Sequence, residues 1–172
     1  MILESRFWKD DLLAHAASLR ARMAQQRWSH ASFARCEQSI MLGFYAIRKL
    51  MEARKLPRRI RIMPVPMRTY PTRGTAATLE NKDQLEELYD LEHGAACRRS
   101  LRFVCNQAIH SFVFLLVTDE LRHLVSVMVN TTNNCAVEVL ELSAETIAEV
   151  FERVGRDRRS FRASSRPRKP RR

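Results

Sequence analysis

No stretch of this sequence stays apolar for long. The longest run, Phe112 to Val117 (FVFLLV), has six residues, against the ~20 that a helix needs to cross a bilayer, so no membrane span is predicted. A secretory leader is not predicted either, because Glu4, Asp10 and Asp11 fall where such a leader needs basic and then uninterrupted apolar residues. That reading places the protein in the cytoplasm. Cysteine is sparse: Cys36, Cys97, Cys105 and Cys135 lie far apart, with no Cys-x-x-Cys and no Cys/His spacing of the zinc type. They read as reduced, mostly buried thiols. His15, His30, His93, His110 and His123 form no metal-binding helical pair, so neither a metal nor a cofactor is predicted.

Acidic residues are almost missing from two segments, and this says more than the overall net charge of +11. From Arg156 to Arg172 nine basic residues face one acid, Asp157, and Pro57 to Arg73 carries five arginines and no acid. The rest of the body is close to neutral. Composition otherwise is that of a globular chain, with 45% hydrophobic and 28% charged residues in 172. That length fits one domain, over 1–155, with a basic tail at 156–172. The tail has one aromatic and no β-branched residue and should be disordered when unbound.

Along the chain, Trp8, Leu12, Ala16, Leu19 and Met23 recur at helical spacing, as do Phe33, Cys36, Ile40, Phe44, Ile47 and Met51. The second helix starts at Ser29 or Ser32 and stops before Pro57. Residues 57–80, with four prolines, predict a long basic surface loop in which IRIM is at most extended. Asn81 and Gln84 then open a third helix through Leu85, Leu88 and Leu91 that Gly94 ends. A fourth is expected from Ala95 to Ser111. The β-branched segments SFVFLLVTD, LVSVMVN and AVEVLEL predict strands, and Ser143 caps a final helix running to Gly155. The expected architecture is mainly α: a bundle of four or five helices with a small antiparallel sheet between the fourth and last helices.

On the fourth predicted helix Arg99, Arg102, Asn106 and His110 share a sector of about 80°. Two guanidinium groups, an amide and an imidazole with no acid among them suit phosphate. Arginine presents a rigid fork of donors, and imidazole exchanges protons near neutral pH. The alternative is the wet side of an amphipathic helix. Arg58, Arg59, Arg61, Arg68 and Arg73, with Tyr70 among them, form a phosphate-binding strip or a solvated loop. In the tail, Arg158, Arg159, Arg162, Arg166, Arg168, Lys169, Arg171 and Arg172 predict a polyanion partner. Nucleic acid leads, with acidic protein or an anionic membrane surface as alternatives. Trp8, Trp28 and Cys105 read as core residues, Glu37 and His123 as surface ones and Tyr45 as partly buried, with Glu37 and Tyr45 alternatively reaching toward the motif helix.

The helical layout and the segment CNQAIHS resemble the HEPN superfamily of nucleotide-binding helical bundles. Asn106 and His110 match the polar residue and the histidine of its motif, while Cys105 stands where its arginine usually lies and Arg102 is displaced upstream. The resemblance implies an RNA-binding protein working as a homodimer, in its active form a metal-independent endoribonuclease of a toxin–antitoxin or phage-defence system. In that form His110 would act as general base or acid, Arg102 with Arg99 would stabilise phosphoryl charge, and Asn106 would orient the histidine or hold an oxygen. An antitoxin or effector would be a further partner. The alternative is a non-catalytic module of the same family that binds RNA or a partner protein.

Overall fold

The computed structural model describes residues 2–75, 77–133 and 135–157. Two long helices open the chain, α1 (Ser5–Met23) and α2 (His30–Glu52). Both serines expected near the start of α2 take part in its cap. Ser29 Oγ accepts from the Ser32 amide at 3.2 Å, and Ser32 Oγ accepts from the Ser29 amide at 2.8 Å, which satisfies two of the helix's unpaired donors reciprocally. A single turn, α3 (Arg58–Arg61), follows Pro57.

Next come β1 (Pro64–Pro71), the one-turn α4 (Leu85–Leu88), β2 (Ala95–Ser100), α5 (Leu101–Ile109), β3 (Ser111–Thr118), β4 (Leu124–Thr131), β5 (Glu138–Ser143) and α6 (Ala144–Gly155). The strands form one antiparallel sheet in the order β2-β1-β5-β4-β3. This corrects the expected bundle with a small sheet: the sheet has five strands and carries the fold. Two of those strands come from segments that the sequence reading placed elsewhere. The Pro-rich segment is a turn of helix and a strand instead of a long loop, and the start of the fourth predicted helix is β2.

The prolines fit β1 because of the ladder's alternation. Leu101 N–H donates to Met63 O and Thr72 N–H to Val137 O, so odd positions of β1 face β2 and even ones face β5. Pro64 and Pro66 therefore point toward β5, whose pairing with β1 covers only Arg68 to Pro71. Pro71 points toward β2, whose pairing ends at Thr69. For Pro64 and Pro66 the missing N–H lies where no ladder bond is formed, and Pro71 ends the strand, its carbonyl accepting from the Asp90 amide at 2.9 Å. At the other end of β2, Ser100 becomes the N-cap of α5, accepting from the Phe103 amide at 3.3 Å. The helix therefore begins at Leu101, not Ala95. The third predicted helix shrinks to α4, with Gln84 as its N-cap, and Tyr89 is already extended and bridged to Thr72.

Helices cover one face of the sheet. Val65, Met67, Val127, Val129, Leu140 and Leu142 pack there against Leu12, Ile47, Leu50, Val104, Ile147 and Phe151. Segment 72–91 covers part of the other face, where Tyr70, Val113, Met128 and Val139 meet Leu85, Leu88 and Tyr89. α1 is tied to α6 by Arg20, which lies 2.7 Å from Glu145 and 2.6 Å from Glu152. No helix among the described residues is long and apolar enough to cross a membrane.

Candidate anion-binding cleft

Three elements converge on a cleft of about 380 Å³ lined by Arg48, Met51, Glu52, Arg58, Arg61, Ile62 and Arg102. Helical spacing selects its lining. Positions 48, 51 and 52 share one face at the end of α2. On α3, Arg58 and Arg61 stand three apart on one side, while Ile60 turns into the core and Arg59 turns away. Arg102 enters from the first turn of α5.

Arg48 is the organised member, with its side chain 22% exposed. Its Nη1 donates to Asn106 Oδ1 at 2.6 Å and its Nε to Glu52 Oε1 at 2.8 Å. Hydrogen bonds from Arg48 and then Lys49 hold the Glu52 carboxyl below its ordinary pKa. The acid of the cleft is thus already matched, and Arg58, Arg61 and Arg102 have no ion-pair partner among the described residues. Three unpaired guanidinium groups beside a fixed fourth give a concave site of net charge +3. Ile62, 59% exposed, and Met51 add an apolar wall.

The four-residue stripe does not assemble as expected. Arg99 lies on β2 rather than on the helix, with its Nη2 3.9 Å from Glu138 Oε1 and its guanidinium 5.8 Å from the Phe103 ring centre. Asn106 is engaged by Arg48 and not by a histidine. His110 is the C-cap of α5, exposed, outside the cleft lining and without a side-chain hydrogen bond among the described residues. Arg102 alone of the stripe lines the cleft.

The predicted strip of five arginines also divides, since only Arg58 and Arg61 reach the cleft. Arg59 Nη2 lies 2.7 Å from Asp157 Oδ1, a buried carboxylate whose backbone oxygen accepts from buried Lys9. Arg68 donates to Gly94 O at 3.0 Å and sits over the Tyr70 ring. Arg73 donates to Tyr89 O at 3.2 Å and lies 3.6 Å from Asp90. Arg158, Arg159, Arg162, Arg166, Arg168, Lys169, Arg171 and Arg172 lie outside the described residues. Arg48 is the member that sequence reasoning missed, because its i,i+4 partner Glu52 makes it look like any surface ion pair of an amphipathic helix.

The thiols are built into packing. Burial pushes Cys105 up to about 12 and Cys36 up to about 11, which leaves both protonated and unreactive. Asp90, Glu92 and His93 bring ligand atoms within 4.8 Å of one another at the surface. Asp90 is already bonded to His93 at 2.8 Å and faces Arg73. No family model, no curated protein and no solved structure matches this chain. Fold and site together describe an α+β domain with an arginine-lined cleft.

Proposed function

We propose that the protein binds RNA, with the arginine cleft gripping phosphate and the basic C-terminal segment adding sequence-independent attraction. The observation that carries this reading is the set of unpaired guanidinium groups of Arg58, Arg61 and Arg102 beside Arg48. Like charges gathered without internal partners repel one another, and a bound anion relieves that repulsion. Arginine forks match phosphate oxygens two at a time. The proposal is the binding form and not the nuclease form, because His110 does not line the cleft and the one carboxylate among its described lining residues, Glu52, is already held by Arg48 and Lys49. It also stands apart from the HEPN resemblance, whose implied bundle differs from the five-stranded sheet.

The test is fluorescence anisotropy of the full chain with labelled single-stranded RNA across a salt series. Arg48→Gln, Arg61→Gln and Arg102→Gln should each weaken binding several-fold and lower the salt slope by about 0.7. Unchanged affinity and slope in all three would remove the cleft from the interface. Tighter binding to single-stranded DNA of the same sequence would move the ligand class. Product analysis in excess chelator should show intact RNA. Cleavage by wild type that His110→Ala abolishes at unchanged affinity would replace this reading with a metal-independent endoribonuclease.

A further inference from the structure

We infer that the cleft recognises a terminal phosphate monoester at an RNA end in preference to the phosphodiesters of a continuous strand, an inference that rests on the RNA-binding reading. Charge decides between the two. The lining holds four arginines and one glutamate, and that glutamate is shared by Arg48 and Lys49. An internal phosphodiester brings one negative charge to a site of net +3. A terminal monoester brings nearly two at neutral pH, since its second pKa is about 6, and it exposes three oxygens rather than two to the arginines of the lining.

The arrangement of donors agrees with this. A continuous backbone is served by cations spaced along a groove. Here the guanidinium groups come from three separate elements and line one cleft of about 380 Å³. Arg48 is fixed in advance by Asn106 and Glu52, which lowers the cost of ordering a donor when the ligand arrives. Beside the forks, Ile62 offers apolar surface to one nucleoside. Met51 is nearly buried and Ile62 is more than half exposed on α3's C-cap. An exposed isoleucine next to three unpaired arginines suits a sugar or base face placed next to a bound phosphate.

The experiment measures the full chain against a labelled twelve-nucleotide single-stranded RNA in four forms: both ends hydroxyl, 5′-phosphate, 3′-phosphate, and 5′-triphosphate. Inorganic phosphate and a free nucleoside triphosphate serve as competitors. The expected result is at least tenfold tighter binding when one end carries phosphate. The 5′ and 3′ arms tell which end is read. Arg102→Gln and Arg61→Gln should erase that preference, bringing the phosphorylated RNA down to the affinity of the hydroxyl form. Ile62→Ser should reduce the preference while leaving competition by inorganic phosphate unchanged.

Equal affinity for all four forms, with every form weakened by the arginine substitutions, overturns the inference while leaving the RNA-binding reading intact. Equal affinity that the substitutions do not alter overturns both. Displacement by the free nucleoside triphosphate at or below the concentration of phosphorylated RNA needed for the same effect also overturns it, making a nucleotide the ligand.

Discussion

Gly43 shows how tightly the helical face is packed. A Cβ built on it would lie 2.2 Å from Phe151 Cζ and 2.4 Å from Cε2. That ring is fully buried and meets Phe44 edge-on at 5.1 Å between centres, so it has nowhere to retreat. Alanine would raise helix propensity by up to ~1 kcal/mol, but overpacking of a filled core costs ~1–3 kcal/mol. Gly43→Ala should therefore be destabilising in a urea titration, and a raised midpoint would show that the ring relocates freely. His15 supplies a pH dependence. Burial lowers its pKa, against a smaller opposing pull from Asp11, and its Nδ1 lies 2.8 Å from Ser39 Oγ. Since the folded value is below the ordinary 6.5, the unfolded chain takes up the proton first. This contribution is complete above pH 6.5 and is lost as pH falls from there toward the depressed folded value. Unfolding free energy measured from pH 7.5 to 5 should fall, and His15→Gln should flatten that slope. An identical slope in the variant would assign the effect elsewhere.

Among the elements, the ones with an unbroken local signal were legible. α1 followed from helical spacing alone, α2 and α6 from spacing with serine caps, and β4 and β5 from alternation. The α2 cap is quantitative: Ser29→Ala removes the acceptor for the Ser32 amide and should cost about 1 kcal/mol, read as a lower midpoint in urea. No loss would mean that the Ser29 carbonyl, 3.0 Å from that amide, serves it equally well. β1 was not legible because its suitability depends on which neighbour each residue faces. A proline count argues against a strand, and only the ladder register shows that Pro64 and Pro66 face a gap and that Pro71 is the last residue of the strand. β2 was hidden for a related reason. AACRRS has no apolar alternation because it is an exposed edge whose residues bury little surface on either face. Its helix-like continuation into LRFVCNQAI then masked the boundary that Ser100 makes.

At the scale of the whole molecule, charge is separated into a near-neutral core, an arginine cleft and a basic C-terminal segment. Arg58, Arg61 and Arg102 could be picked out as basic residues on segments poor in acid, but their meeting could not. It depends on α3 turning Arg59 toward Asp157 and on α5 beginning at Leu101 so that Arg102 sits in its first turn. The cleft and the tail should act differently on one measurement. Removing residues 159–172 takes away seven basic residues and no acid, while keeping Asp157 and its contacts with Lys9 and Arg59. The thermal midpoint should stay unchanged. Counterion release predicts that the slope of log affinity against log salt flattens by up to about 5, from ~0.7 per neutralised phosphate on a single strand. Arg102→Gln removes only one contact and should flatten it by about 0.7. Fixed contacts set register and discrimination, whereas diffuse charge raises every affinity alike. The truncated chain should therefore bind all RNAs more weakly yet rank them in the same order as the full chain, and Arg102→Gln should change the ranking. A truncation that alters the ranking would place the discriminating contacts in the tail and leave the cleft as general electrostatic support.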